Sequence, residues 1–183
     1  MKIVSGEFKY RKIEIPNNIR PTTEKVREAI FSILNNHIYE AIVLDLFAGS
    51  GSLGLESLSR GSRKCYFNEY NKGVLNILKK NINECKAIDR SEVFNYDFKR
   101  CIKMLPEKLD IIFLDPPYKD GYNEGWYQDS FKLIEENNLA KNDTIIVAEH
   151  LEKYNLEEKY GSFVRFKIKK YGTIGVDIYK YQK

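Results

Sequence analysis

The chain alternates short apolar runs with longer amphipathic stretches. Its start is different: residues 2–5 and 9–15 read as two extended pieces around Gly6, and Pro16-Asn17-Asn18 breaks them. Pro21 disfavours helix at Arg20, and Thr22 or Thr23 can cap a helix that begins just beyond them. Val26, Ala29, Ile30, Ile33 and Leu34 then recur at i, i+3, i+4, i+7 and i+8, one face of a helix that ends near Asn36. From there the spacing predicts strands at 42–47, 64–67, 92–95, 110–114 and 144–148. Helices are predicted at 52–60, 72–85, 98–105 and 126–137, with Gly61 and Pro106 as two of the stops.

Strands that alternate with helices imply a parallel sheet covered on both faces. The rhythm breaks at the end, where 164–170 and 174–181 are joined only by Tyr171-Gly172-Thr173. So short a connection cannot make a parallel crossover, so this pair is an antiparallel hairpin. Repeats, low-complexity segments and linkers are absent from the sequence. The expected organisation is a single domain over 1–183, with 1–20 as a small N-terminal hairpin extension and 21–183 as the core.

Composition narrows the class. At 183 residues, with 43% hydrophobic and 31% charged, the chain is an ordinary globular length and mix. Its longest clean apolar run, Ile111-Ile112-Phe113-Leu114, is far short of the ~20 residues that span a bilayer. The first residues lack the apolar core of a secretory signal, so a soluble cytoplasmic protein is expected. Cys65, Cys85 and Cys101 form no CxxC pair, which points to neither a disulfide framework nor a metal site. Charge is segregated: residues 1–27 carry seven Lys/Arg against three Glu, residues 163–183 six against one Asp, and the middle 17 against 22. Basic ends on an acidic body suggest a surface for a polyanion, although lysines can equally serve to solubilise terminal strands.

Two motifs carry the chemistry. Ala48-Gly49-Ser50-Gly51-Ser52-Leu53-Gly54 lies between the first strand of the alternation and a helix, and it satisfies G-x-G-x-x-G. Glu69 comes after the next strand, 20 residues beyond Gly49, where a carboxylate can accept from both hydroxyls of a ribose. Together they read as an adenosine-type cofactor site, compatible with NAD or S-adenosylmethionine. Asp115-Pro116-Pro117-Tyr118 comes directly after the buried strand at 110–114 and faces the same crevice. The prolines hold rigid a carboxylate, a carbonyl and an aromatic ring. Asp115 and the Pro116 carbonyl can accept from an exocyclic amino group, while Tyr118 stacks on the base, worth ~1–3 kcal/mol. The lone pair of such an amine is delocalised into its ring. Fixed acceptors favour the charge that develops on nitrogen as it attacks a sulfonium methyl.

With these residues in place, the sequence resembles the RsmD family of 16S rRNA (guanine-2-amino) methyltransferases. The resemblance runs through Arg20-Pro21-Thr22-Thr23-Glu24-Lys25-Val26-Arg27-Glu28-Ala29-Ile30-Phe31, Leu44-Asp45-Leu46-Phe47 with the glycine loop, Ser59-Arg60-Gly61, the Asp-Pro-Pro-Tyr tetrapeptide and Tyr171-Gly172-Thr173. It implies an α/β class I S-adenosylmethionine-dependent methyltransferase fold, Rossmann-like. Its mostly parallel, doubly wound sheet would end in an antiparallel hairpin, with a small N-terminal β-hairpin extension. It implies S-adenosylmethionine as cofactor, held by Asp45, Ala48, Gly49, Gly51, Glu69, Asp97 and Phe98, with Asp115, Pro116, Pro117 and Tyr118 at the methyl-transfer site. The basic N-terminal hairpin, through Arg11, Lys12 and Arg20, would contact the partner, 16S rRNA or the small ribosomal subunit. A monomer without metal is expected. Two positions depart from the family pattern: Asn71 stands where an acid is expected after Glu69, and Asn68 is polar where the strand is usually apolar. Other readings are a DNA adenine-amino methyltransferase, an NAD-dependent oxidoreductase and a non-catalytic rRNA-binding protein on the same scaffold.

Overall fold

In the computed structural model, which describes residues 1–17 and 21–183, the alternating stretches become one eight-stranded sheet. Five strands pair in parallel: β1 (Ile42–Asp45), β2 (Lys64–Asn68), β3 (Ser91–Phe94), β4 (Ile111–Leu114) and β5 (Ile145–Leu151). Three more are antiparallel: β6 (Lys159–Tyr160), β7 (Phe163–Tyr171) and β8 (Ile174–Tyr181). The order is β3-β2-β1-β4-β5-β8-β7-β6. The chain winds outward one way from β1 and the other way from β4, so a crevice opens at the carboxyl ends of these two strands.

Side chains that alternate along each strand feed two cores. Val43, Ile111, Phe113 and Val147 point to one face, covered by α1 (Glu24–Leu34), α2 (Ser52–Ser59) and α3 (Lys72–Glu84). Ile42, Leu44, Ile112 and Ala148 point to the other, covered by α4 (Phe98–Met104) and α6 (Trp126–Glu136). All three cysteines are buried and free, and burial pushes the Cys101 thiol up to about 12. Among the described residues no helix is long and apolar enough to cross a membrane, and no group of three His, Cys, Asp or Glu could hold a metal.

Several expectations change. The N-terminal hairpin shrinks to one antiparallel bridge, Lys2 with Lys12. Ile3, Tyr10 and Ile13 N–H bond across it, to Arg11 O, Ile3 O and Met1 O at 2.9 Å each, while Val4 and Ser5 N–H bond the Glu56 carboxylate of α2 at 2.9 and 3.1 Å and Phe8 N–H bonds Ser59 Oγ at 2.8 Å. Ile3, Phe8 and Ile13 join the first core, so residues 1–15 cover the domain rather than project from it. The buried face of α1 is Val26, Arg27, Ile30, Phe31 and Leu34, with Ala29 and Ile33 only partly covered. β5 runs to Leu151, three residues past the apolar run, because β8 pairs with it as far as Ile174. The short α5 (Tyr118–Asn123) and β6 carry too little periodicity to read from sequence.

Candidate active site

A cavity of about 1040 Å³ opens at the crevice, at the upper end of the size usual for small-molecule sites. One half is built around the glycine loop. Asp45 ends β1, and its Oδ2 accepts from Gly54 N–H at 3.0 Å, which ties the loop's exit to the strand. Gly51 turns the loop at φ +82°, and a Cβ on Gly54 would stand 2.2 Å from the Phe67 ring, so α2 can lie this close to β2 only with glycine there. Burial pushes the Asp45 carboxyl up to about 7; the Gly54 N–H opposes this, and the Glu69 charge adds to it.

Glu69, just after β2, accepts from Gly49 N–H at 2.9 Å and from Asn71 N–H at 2.8 Å, one on each oxygen. Each oxygen keeps a second lone pair for a ligand hydroxyl. Burial raises this carboxyl too, against the pull of its backbone donors. Ala48 is pinned by its N–H to Asn68 O at 2.9 Å. Asp97 caps α4, its Oδ1 accepting from Lys99 and Arg100 N–H at 3.1 Å each. Phe98 packs with Phe47 and Trp126, ring centroids 5.3 to 5.9 Å apart, and the three form an aromatic wall. The two unexpected asparagines are both used. Asn68 bonds Leu46 O and Tyr96 O, joining the ends of β1 and β2 to the turn before α4. Asn71 caps α3 through Gly73 and Val74 N–H, a role an acid could also fill.

The other half is Asp115-Pro116-Pro117-Tyr118, directly after β4. Pro116 is buried, and Tyr118 opens α5, whose Gly121 N–H returns to Pro117 O at 2.8 Å. Tyr118 donates its hydroxyl to Glu149 Oε1 at 2.6 Å. Thr22 donates to Glu149 Oε2 at 2.8 Å and stands 3.4 Å from Asp115 Oδ2. Asp115 still opens partly onto the cavity, but it is deep enough that burial, then the Glu149 and Asp45 charges, hold its carboxyl well above the usual carboxylate range.

Glu149 and Thr22 are the residues that sequence reasoning missed at this site. Glu149 is the one acid in β5, directly after its apolar run, and is 3% exposed. Its position, one residue past the predicted strand end, was the available signal. Thr22 was readable only as one of two possible caps; the cap is Thr23, which accepts from Val26 N–H. His150, the next residue after Glu149, points the other way, to Asp177 at 3.2 Å, and its role is structural. The cavity therefore brings together Asp45, Ala48, Gly49, Glu69, Asp97, Phe98 and the whole tetrapeptide. Arg11 and Lys12 stand outside it. Lys12 is exposed, Arg11 donates to Glu84 O at 2.7 Å at the end of α3, and Arg20 lies outside the described residues.

Residues 1–180 match the family model described as Conserved hypothetical protein 95. Ribosomal RNA small subunit methyltransferase D of Haemophilus influenzae is 37% identical over 155 residues, which cover 81% of this chain and 78% of that one. Among solved structures, the candidate methyltransferase yhhF from Escherichia coli superposes with a TM-score of 0.88 at 28% identity, over 100% of this chain and 98% of that one. An RNA methyltransferase from Salinibacter ruber, in complex with S-adenosyl-L-homocysteine, shares the fold at a TM-score of 0.66 and 13% identity, over 90% and 95% of the two chains.

Proposed function

The chain belongs to the Conserved hypothetical protein 95 family, and on that premise we propose that it methylates the exocyclic 2-amino group of a guanine in 16S rRNA. The family and its structural relatives support an S-adenosylmethionine-dependent rRNA methyltransferase of class I fold. The guanine assignment is supported by a single cavity that joins the glycine loop and Glu69 to Asp115, Pro116 and Tyr118.

The residues fit the cofactor. Its adenosine half needs acceptors for two hydroxyls and an amino group beside a flat apolar wall. Glu69, Asp97 and Phe98 offer these. Asp45, Ala48 and Gly49 line the end nearest β1, where the methionine part belongs, and Gly51, which is not in the lining, turns the loop behind them. Bound there, S-adenosylmethionine supplies a methyl group on a positively charged sulfur. On the acceptor side, the Asp115 carboxylate and the Pro116 carbonyl take the amino hydrogens and orient the nitrogen lone pair. Pro117 stiffens the turn, and the Tyr118 ring supports the base. Acidic walls favour positive charge as it builds on the amine. They also repel phosphate, so the RNA backbone is held elsewhere, by Arg11, Lys12 and Arg20.

The test is to incubate the protein with methyl-labelled S-adenosylmethionine and, in parallel, naked 16S rRNA, small subunits or DNA. After nuclease digestion, label is expected in 2-methylguanosine from rRNA or subunits. Label in N6-methyladenine of DNA, or none in any nucleic acid, overturns the assignment.

A further inference from the structure

Resting on that reading, we propose that Glu149 is the positioning residue of the methyl-acceptor pocket: it fixes the Tyr118 ring through one oxygen and, through the other and Thr22, the carboxylate of Asp115.

The geometry is specific. The two oxygens of one buried carboxylate are each taken by a hydroxyl, Tyr118 Oη at 2.6 Å and Thr22 Oγ1 at 2.8 Å. Neither donor is adjacent in sequence. Tyr118 opens α5 and Thr22 precedes α1, so Glu149 draws together the two segments that flank Asp115. The Thr22 hydroxyl has one proton and gives it to Glu149; its oxygen then lies 3.4 Å from Asp115 Oδ2 and bounds the space that carboxylate can turn through. Glu149 is itself held from behind, because Tyr127 donates to its carbonyl at 2.6 Å. A stacking platform on a one-turn helix has little rigidity of its own, and a phenol anchored at its far end loses the ring's freedom to swing.

Glu149 also places a like charge beside Asp115. Among the described residues, the ionisable groups that face it include Asp115 from the end of β4, Tyr118 from α5 and Tyr127 from α6, with Asp45 beyond Asp115; from β8 it is paired with Val176, and His150 and Asp177 stand on the opposite face. Asp115 must be ionised to accept from the amine, and Glu149 makes that harder. Activity is therefore lost as pH falls through the raised range of Asp115. Removing the Glu149 charge moves that acid limb to lower pH.

The variants are Glu149→Ala and Glu149→Gln, assayed on small subunits beside wild type, with calorimetry for S-adenosylmethionine. Glu149→Ala should lower kcat roughly 100-fold through misplacement of the acceptor, with cofactor affinity within about twofold of wild type. Glu149→Gln keeps one acceptor oxygen, so it should lose only roughly tenfold and shift the acid limb of kcat to lower pH. If the alanine variant does not fold by circular dichroism, the glutamine variant decides alone. A purely structural Glu149 moves thermal stability but leaves the acid limb where it is. A wild-type enzyme that labels no RNA overturns both the function and this proposal. A wild type that labels RNA, beside a glutamine variant with kcat within twofold and an unshifted acid limb, overturns this one alone.

Discussion

Burial makes Asp45, Glu69 and Asp115 reluctant to ionise, and single substitutions separate the roles of the cavity's carboxylates. Asp115 lies on the acceptor side, away from Glu69 and Asp97. Asp115→Ala should therefore abolish methyl transfer while calorimetry shows S-adenosylmethionine bound with near-normal affinity; near-normal turnover would remove Asp115 from the reaction. Asp45 allows a test of sign. Its carboxyl sits at about 7 in the folded chain against an ordinary 3.8, so the folded state favours the neutral form. That stability is fully present below about pH 4 and is lost as pH rises through about 7. Asp45→Asn keeps an oxygen for Gly54 N–H and never ionises. The variant should match wild type near pH 4 and exceed it at pH 8 by up to roughly 4 kcal/mol, in thermal melts at the two pH values. A difference that does not widen with pH would show that Asp45 ionises freely.

Among the elements, α2 holds the N-terminal segment through Glu56 and Ser59. Glu56 is fully buried and accepts from Val4 and Ser5 N–H, from Arg27 and, at 2.8 Å, from Arg60. Arg27, equally buried, donates in turn to Lys2 O at 2.7 Å, so α1, α2 and residues 1–5 share one ion-pair network. Glu56→Ala would leave Arg27 charged and buried without its partner, at a cost of about 3–5 kcal/mol. It should also free the amides of Val4 and Ser5. Denaturant unfolding reads the first effect and hydrogen exchange the second; retained protection at those two amides would mean that the segment is held without Glu56, by Ser59 and its apolar side chains.

Across the whole molecule, the proposed function asks the acidic cavity to hold the base and the basic ends to hold the backbone. Taking one base out of its stack requires a hold on the backbone well beyond the pocket. Each phosphate contact releases counterions and steepens the salt dependence of binding. Replacing Arg11, Lys12 and Arg20 by Ala should weaken rRNA binding and flatten that slope, with S-adenosylmethionine affinity little changed. Affinities at two or more salt concentrations decide it. An unaltered slope would move the RNA surface to Lys167, Lys169 and Lys170, which are exposed at the carboxyl end of β7; β7 runs in the direction of β5, so this end lies toward the crevice.

The sequence by itself determined the alternation of strands and helices, the closing hairpin, the glycine loop and the tetrapeptide, because these are local: period, turn chemistry and motif spacing lie within a few residues of one another. The folded chain puts those two motifs, with Glu69 and Asp97, into one cavity, as the doubly wound order requires. Tertiary structure alone decided the rest. Residues 2–5 and 9–15 have strand character and bond each other through Ile3, Tyr10 and Ile13 N–H, yet the pairing stops there because Glu56 and Ser59 side chains take the N–H groups of Val4, Ser5 and Phe8. Arg27 lies at a helix position that sequence assigns to solvent, and it is buried because Glu56 and the Lys2 carbonyl meet it there. Glu149 stands 127 residues from Thr22 and 31 from Tyr118. No spacing rule links a threonine before one helix, a tyrosine at the start of another and a glutamate in a strand. Only the parallel pairing of β4 with β5 sets that acid beside Asp115, where its charge and its two hydroxyl partners act on the same small space.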